Sequence, residues 1–600
     1  MHKILIANRG EIAVRVARAC RDLGLASVAV YSDADRASRH VRVADEACWI
    51  GASPAAESYL RIDRLIDAAQ TAGADAVHPG YGFLSENAVF AAACRDASLV
   101  FIGPTPEAIA LMGNKTEARR LAMSAGVPVV PGTDGPLAAD LGFTALIDVA
   151  ASIGYPLMVK AVAGGGGKGM RVVRDAATLV DAVRGAKAEA ASAFGDGSVY
   201  LERRLERPRH IEVQLLADTH GTVLPFVERE CSIQRRQQKV LEETPSPAVT
   251  PALRARLAAA ATAIARAAGY SNAGTIEFLL DADGAFYFLE MNTRLQVEHP
   301  ISEAVTGVDL VAWQIRLAAG ERLTIDPDQV LHPRGHAIEC RVYAEDADAG
   351  FIPSPGRIAW LTTPGGPGVR DDGGVETGGD VPVFYDPLLS KLIAWGDDRR
   401  QAIARMDRAL AEYRVLGVRT SVPFFRWLLR QEAFLQSRVH TSYLDEVLQQ
   451  RAGEPFVPAS VSQEEVAAIA AVIAMQSAFA PPALRRDGSA FAPPALRRDG
   501  SAFAPPALRR DEAAGAASAA QRDSIADLSR RSGAAANADL SRRSTEAPDA
   551  DLSRRSAAAA NADLSRRSAA GANADLSRRS AAGAKAEGWK KQARHEALRH

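Results

Sequence analysis

The sequence predicts an α/β protein of several domains, on three observations. Short apolar β runs alternate with helical stretches over the first hundred or so residues. Later strands come as hairpin pairs, and 600 residues exceed what one hydrophobic core can organise. Residues 3–7 read as a strand, 11–23 as a helix and 27–31 as a second strand. A helix over 58–72 and strands over 76–78 and 99–102 follow. These βαβ units predict a parallel sheet with function at the carboxyl ends of its strands. Asn8-Arg9-Gly10 closes the first strand without a G-x-G-x-x-G fingerprint, which argues against a dinucleotide site there.

From about residue 112 to 331 the pattern becomes β-rich around a run of glycines. Strands are expected over 211–216 and 223–227, a helix over 254–268, and paired strands over 274–280 and 285–290. The turn between that pair, Asp281-Ala282-Asp283-Gly284, suits a hairpin because Gly284 accepts positive φ and the aspartates bond locally to the backbone. A third region, 332–450, opens with a strand over 337–343 and closes with helices over 397–414 and 422–429. Beyond 450 the material changes. PPALRRD recurs at Pro481, Pro493 and Pro505, and ADLSRRS recurs from Ala526, both every twelve residues. Twelve residues span about 3.3 helical turns, so the recurring leucines rotate by about 120° and form no apolar stripe. Residues 451–600 therefore read as a low-complexity, largely disordered tail.

Lys and Arg total 71 against 72 Asp and Glu, so bulk charge gives no reason to expect nucleic acid or an acidic membrane as partner. Five scattered cysteines without a CxxC pair argue against a disulfide scaffold and fit a reducing compartment. The start has no apolar segment of signal-peptide length, and no run approaches bilayer length. A cytoplasmic protein is expected.

Three stretches carry chemistry. Lys160 ends an apolar strand, and Gly164-Gly165-Gly166-Gly167-Lys168-Gly169 follows it. A loop free of Cβ atoms can close over phosphate oxygens and aim its N–H groups at them. It is not a P-loop, because no Ser or Thr follows the lysine and the context is strand–loop–strand. Glu277 and Glu290 lie on the two arms of the hairpin, where pairing brings both carboxylates to one side of the ribbon. Two acids so close call for a cation, and Mg2+ with nucleotide phosphates answers that need. Glu290, Asn292, Arg294, Gln296 and Glu298 recur with period two, the spacing of one face of an extended chain. Pro300 is expected to hold His299 out of the helix that follows. Lys239 ends a dense polar run from Glu228, and His210 either meets a phosphate or is structural beside Arg209. Cys231 has no Cys–His arrangement around it and reads as a structural thiol.

These residues lie within stretches that resemble the biotin carboxylase component of acetyl-CoA and related acyl-CoA carboxylases, in the ATP-grasp superfamily. ILIANRGEIAVRVARA, HPGYGFLSEN, FIGP, MGNK, GGGGKGMR, ERPRHIEVQ, EMNTRLQVEHP, HAIECRVYAED and YDPLLSKLIAWG occur in that order over residues 1 to about 450. The resemblance implies an ATP-grasp fold (115–331) preceded by a Rossmann-like parallel-sheet domain (1–114) and followed by a mixed carboxylase domain (332–450). It implies that Lys115, Lys160 and His210 contact ATP phosphates, that Glu202 and Leu205 border the adenine, and that Gly165 and Gly166 lie in a lid. Glu277, Glu290 and Asn292 would hold Mg2+, with Mn2+ as an alternative. Bicarbonate would sit among Lys239, Arg294, Gln296 and the backbone of Val297, with Glu298 as base and Arg341 stabilising a biotin enolate. One position departs from the family's RRHQK: Gln237 stands where its histidine does, and glutamine cannot become cationic.

The nearest match to a biotinyl Ala-Met-Lys-Met is Ile473-Ala474-Met475-Gln476, without a lysine. A separate biotin carboxyl carrier protein and a separate carboxyltransferase are therefore expected, and the family implies a homodimer. The acyl acceptor (acetyl, propionyl or methylcrotonyl) stays open. A different ATP-grasp carboxylate–amine ligase should lack EMNTRLQVEHP together with HAIECR. A nucleotide-binding protein without catalytic activity should lack Lys239, Glu298 or Arg341.

Overall fold

The computed structural model describes residues 1–138, 141–162, 169–451 and 453–456, together with a short pair of strands, Ala495–Leu496 and Ala502–Phe503. Gly165 and Gly166 of the expected lid lie outside the described residues, as does nearly all of the repeat tail read as disordered.

The amino-terminal part is the expected parallel sheet. Its strands run in the order Glu46–Gly51, Ala26–Ser32, Lys3–Ile6, Ala76–His78 and Val100–Phe101, all parallel. Ile4 and Ile6 enter one core with the helix Gly10–Asp22, while Leu5, Val28 and Val30 enter another on the opposite face. Both faces are thus buried, which is why these strands read as continuous apolar runs. Asn8 Nδ2 donates to the carbonyls of Pro79 and Tyr81, each at 2.7 Å, and ties the end of the first strand to the HPGYG loop.

The stretch around the glycine run is less purely β than expected. A three-stranded antiparallel sheet, Arg171–Val173, Leu157–Ala161 and Val199–Arg203, carries two helices, Phe143–Ile153 and Ala176–Phe194. Asp175 caps the second by accepting from the Thr178 N–H, and Gly195 at φ 76° ends it.

A large sheet organises the rest. Its path is Phe286–Asn292, Asn272–Leu280, Arg209–Ala217, Arg229–Arg235, Gln238–Thr244, His336–Tyr343, Leu388–Gly396 and Val369–Gly373, with Val223–Pro225 off the path beside Arg209–Ala217. Gln238–Thr244 pairs with His336–Tyr343, so one sheet runs unbroken through the expected boundary at 331/332. Gln234 opposes Lys239 while Ile233 opposes Leu241, which makes Val240 the extra residue of a bulge. Val240 and Leu241 both enter the apolar core with Ile338, Cys340 and Leu392. Lys239 and Glu242 are left on the other face, with Glu339, Arg341 and Lys391.

The helix His299–Thr306 corrects the reading of Pro300. His299 is its first residue and Pro300 its second, where a missing N–H costs nothing because no carbonyl precedes it in the helix. Glu298 is the N-cap, and its side chain makes no capping bond. The carboxylate is turned toward the sheet instead.

Candidate active site

Lys239 is the hub. Its ammonium donates to Glu212 Oε2 at 2.5 Å, Glu277 Oε1 at 2.7 Å and Glu298 Oε1 at 2.9 Å. Three donors meet three carboxylates, each of which is buried. Burial alone would lower the Lys239 pKa, but the carboxylates outweigh it and hold the ammonium well above its usual range. Burial likewise raises Glu277 and Glu298, yet Lys239 with His210 on the first, and Lys239 with Arg341 and Arg229 on the second, hold both well below the usual carboxylate range. Both are ionised at neutral pH.

Arg341 closes the far side. Its Nη2 donates to Glu298 Oε2 at 3.0 Å, and its Nε donates to Glu242 Oε1 at 2.7 Å. Cys231, whose thiol is pushed well up by burial, approaches Glu298 Oε1 at 3.8 Å as a weak donor. Glu298 is therefore held by cations on both flanks.

The hairpin delivers its acids as expected. Glu277 and Glu290 are directly opposed in register, and the turn is closed by Asp281 accepting from Gly284 N–H, with Gly284 at φ 82°. Asn292 Nδ2 and Gln296 Nε2 donate to Glu277 Oε1 at 2.8 and 3.1 Å. Arg294 reaches Gln296 at 2.9 Å, Asn292 at 3.2 Å and Glu86 at 2.9 Å. The period-two reading holds as a strand only to Asn292; Arg294, Gln296 and Glu298 follow in a loop that still returns to the same pocket. Val297 is buried there, and its carbonyl accepts from Lys391 Nζ at 3.1 Å.

His210 Nε2 lies 3.0 Å from Glu277 Oε2, within ion-pair range but off the line of a hydrogen bond. Lys115 Nζ is 3.8 Å from Glu290 Oε2, and Lys160 pairs with Glu202, which also takes Arg119 at 3.3 Å. Leu205 sits half-buried in the loop after Val199–Arg203. Gln237 and Arg236 form the tight turn between Arg229–Arg235 and Gln238–Thr244 at φ 66° and 51°, with both side chains exposed.

The oxygen-only set of Glu277, Glu290 and Asn292 suits a hard divalent cation. Glu290 is half exposed, with Lys115 Nζ 3.8 Å from its Oε2 and the charge of Lys160 acting on it from farther off, so it keeps coordinating capacity. That is the chemistry Mg2+ with phosphates requires.

Sequence reasoning did not single out Glu212, Arg229, Glu242, Glu339 or Lys391. Glu212 is fully buried between Lys239 and Arg229, whose Nε donates to it at 2.5 Å. The signal was present in His210, Glu212 and Gln214, which alternate along one strand and so share a face.

Three family models match the chain: Biotin carboxylase, N-terminal domain over residues 1–109; Carbamoyl-phosphate synthase L chain, ATP binding domain over 114–326; and Biotin carboxylase C-terminal domain over 339–446. A biotin carboxylase of Nostoc sp. is 54% identical over 445 residues, covering 74% of this chain and 99% of that protein. A pyruvate carboxylase component of Methanothermobacter thermautotrophicus is 53% identical, covering 74% and 89%. Among solved structures, the biotin carboxylase domain dimer of Hydrogenobacter thermophilus 2-oxoglutarate carboxylase, with MgADP, ADP and bicarbonate, aligns with a TM-score of 0.72 at 44% identity, covering 76% of this chain and 99% of that one.

Proposed function

The chain belongs to the biotin carboxylase family, and from that premise we propose that it carboxylates biotin on a carrier protein, consuming ATP and bicarbonate and releasing ADP and phosphate. The observation that carries this reading is the placement of Glu298 between Lys239 and Arg341, next to the Glu277–Glu290 pair. A proton acceptor there stands between a phosphate-side ammonium and a guanidinium.

In this reading Lys115, Lys160 and His210 receive the ATP phosphates, Gly165 and Gly166 cover them, and Glu202 and Leu205 border the adenine. Glu277, Glu290 and Asn292 would hold Mg2+, with Mn2+ as an alternative, and a bound ion would supply positive charge to the phosphoryl oxygens. Lys239, Arg294, Gln296 and the backbone of Val297 orient bicarbonate. Glu298 takes its proton, and the freed oxygen attacks the γ-phosphorus to give carboxyphosphate and ADP. Carboxyphosphate breaks to CO2 and phosphate, and the phosphate takes the N1 proton of biotin. Arg341 stabilises the enolate oxygen while N1 captures CO2. Enclosure of the pocket protects an intermediate that water would destroy.

Biotin arrives on a separate carrier protein and leaves to a separate carboxyltransferase, and the catalytic unit works as a homodimer. Relatives are named for carboxylases of different acceptors, pyruvate and 2-oxoglutarate, which supports selection of the acceptor by the transferase rather than by this site. Five free cysteines, with no helix among the described residues long and apolar enough to cross a membrane, support a cytoplasmic setting.

With ATP, Mg2+ and bicarbonate, the purified protein is expected to release ADP faster once free biotin is added. A coupled assay for ADP reads this directly, and a folded protein whose rate ignores biotin would remove the proposed function.

A further inference from the structure

We propose that Glu242 is a positioning residue for Arg341, and that Glu339, directly opposite it, carries the proton that lets Glu242 remain ionised. The inference rests on the role given to Arg341 above.

Glu242 and Glu339 are register partners on adjacent antiparallel strands, and both are fully buried. Like charges directly opposed in a buried sheet repel strongly, so such a pair holds a proton unless a cation bridges the two, as Lys239 bridges Glu212 and Glu277. Charge counting leads to the same result. Along this buried network four cations, Lys239, Arg229, Arg341 and Lys391, meet six carboxylates: Glu11, Glu212, Glu242, Glu277, Glu298 and Glu339. The carboxylates outnumber these cations, which favours retention of a proton within the network.

Geometry assigns that proton to Glu339. Glu242 Oε1 accepts from Arg341 Nε at 2.7 Å, whereas among the described residues neither oxygen of Glu339 receives a donor; the oxygens of Glu11 receive no hydrogen bond either, but Glu11 has Lys391 Nζ as an ion-pair partner at 3.2 Å. The cation nearest to hand, Lys391, directs its ammonium to Val297 O at 3.1 Å and Glu11 Oε2 at 3.2 Å. Burial accordingly raises Glu339 well above the usual range; Glu242 is pushed up to about 7, with Arg341 opposing the rise. His299, at the start of the adjacent helix, is held well below its ordinary pKa by burial and by Lys391, and supplies no positive charge.

The consequence is mechanical. Arg341 meets Glu242 Oε1 through Nε, with Nη2 also 2.7 Å from that oxygen, and the same Nη2 reaches Glu298 on the side of the reaction pocket. With Glu242 ionised, the guanidinium plane keeps its orientation when a substrate oxygen replaces Glu298 as partner of Nη2. A charged or misplaced Glu339 would compete for Arg341 and turn it away.

Steady-state kinetics on full-length variants test this. Glu242→Gln keeps the shape and loses the charge-assisted bond, so biotin-stimulated kcat should fall by about tenfold or more while the KM for ATP stays unchanged. Glu242→Asp, which restores the charge, should recover part of that loss. Glu339→Gln mimics the protonated acid and should leave biotin-stimulated kcat within about twofold. The reverse ranking, or a loss in KM for ATP equal to that in kcat, overturns the proposal. Should Glu242→Gln fail to fold, infrared difference spectra of Glu339→Gln against the native protein at neutral pH decide. Loss of a protonated carboxylic C=O band supports the assignment, and loss of carboxylate bands alone overturns it. A native protein without biotin stimulation would instead strike at the proposed function, so the two failures are distinct.

Discussion

Glu298→Ala is expected to lower biotin-stimulated ADP release by about 10²- to 10⁴-fold, the usual worth of a positioned general base, with the KM for ATP little changed. Glu298 hydrogen-bonds to none of the groups assigned to the nucleotide, and Lys239 keeps Glu212 and Glu277 when Glu298 is removed. Arg341 keeps Glu242. The fold therefore loses one carboxylate from a network that had carboxylates in excess. In the free site Glu298 is a weak base, because Lys239 and Arg341 hold it ionised. Basicity appears on loading. An anion that draws Lys239 away and brings its own negative charge raises the affinity of Glu298 for a proton, at the moment when the proton must be taken. Initial rates at saturating ATP with varied bicarbonate measure the effect, and turnover equal to the native protein would remove Glu298 from the role of base.

Lys239→Met should be the most damaging substitution for stability. It leaves Glu212, Glu277 and Glu298 buried without their shared ammonium, and removing one partner of a buried ion pair costs about 3–5 kcal/mol. The pH dependence has a definite sign. In the native protein Glu277 and Glu298 lie below their unfolded value of about 4.3, so their contribution is fully present above that pH and is lost as pH falls through the depressed folded values. In Lys239→Met the same groups must gain protons on folding. The variant's deficit is therefore largest near pH 8 and shrinks toward pH 5. Urea or thermal unfolding at the two pH values reads it, and a deficit independent of pH would show that losing Lys239 drives no proton uptake on folding, against this account.

Local chemistry is readable from the sequence wherever neighbours in the chain are neighbours in space. Glu277 and Glu290 come from a hairpin whose turn residues announce themselves, and their opposition follows from counting around Asp281–Gly284. The amino-terminal sheet is readable for a similar reason, since apolar runs of strand length alternate with helical spacing. Distant register is not readable. Glu212 meets Lys239 across the central sheet, and Glu242 joins the pocket only because the bulge at Val240 turns Lys239 and Glu242 to one face. Strict alternation places them on opposite faces. Lys391 reaches Val297 from a strand 94 residues away in the chain, which no local pattern encodes. The helix after Pro300 is expected, but its start at His299 is missed because proline reads as excluding the residue before it, whereas a first-turn position tolerates the ring.

Oxygen tracing tests the central claim most directly. With ¹⁸O-labelled bicarbonate, ATP, Mg2+ and biotin, attack of a bicarbonate oxygen on the γ-phosphorus transfers one label to each phosphate released. Mass spectrometry of that phosphate should find the label in step with ADP. Phosphate carrying oxygen from water alone, with biotin-stimulated turnover intact, would contradict the account.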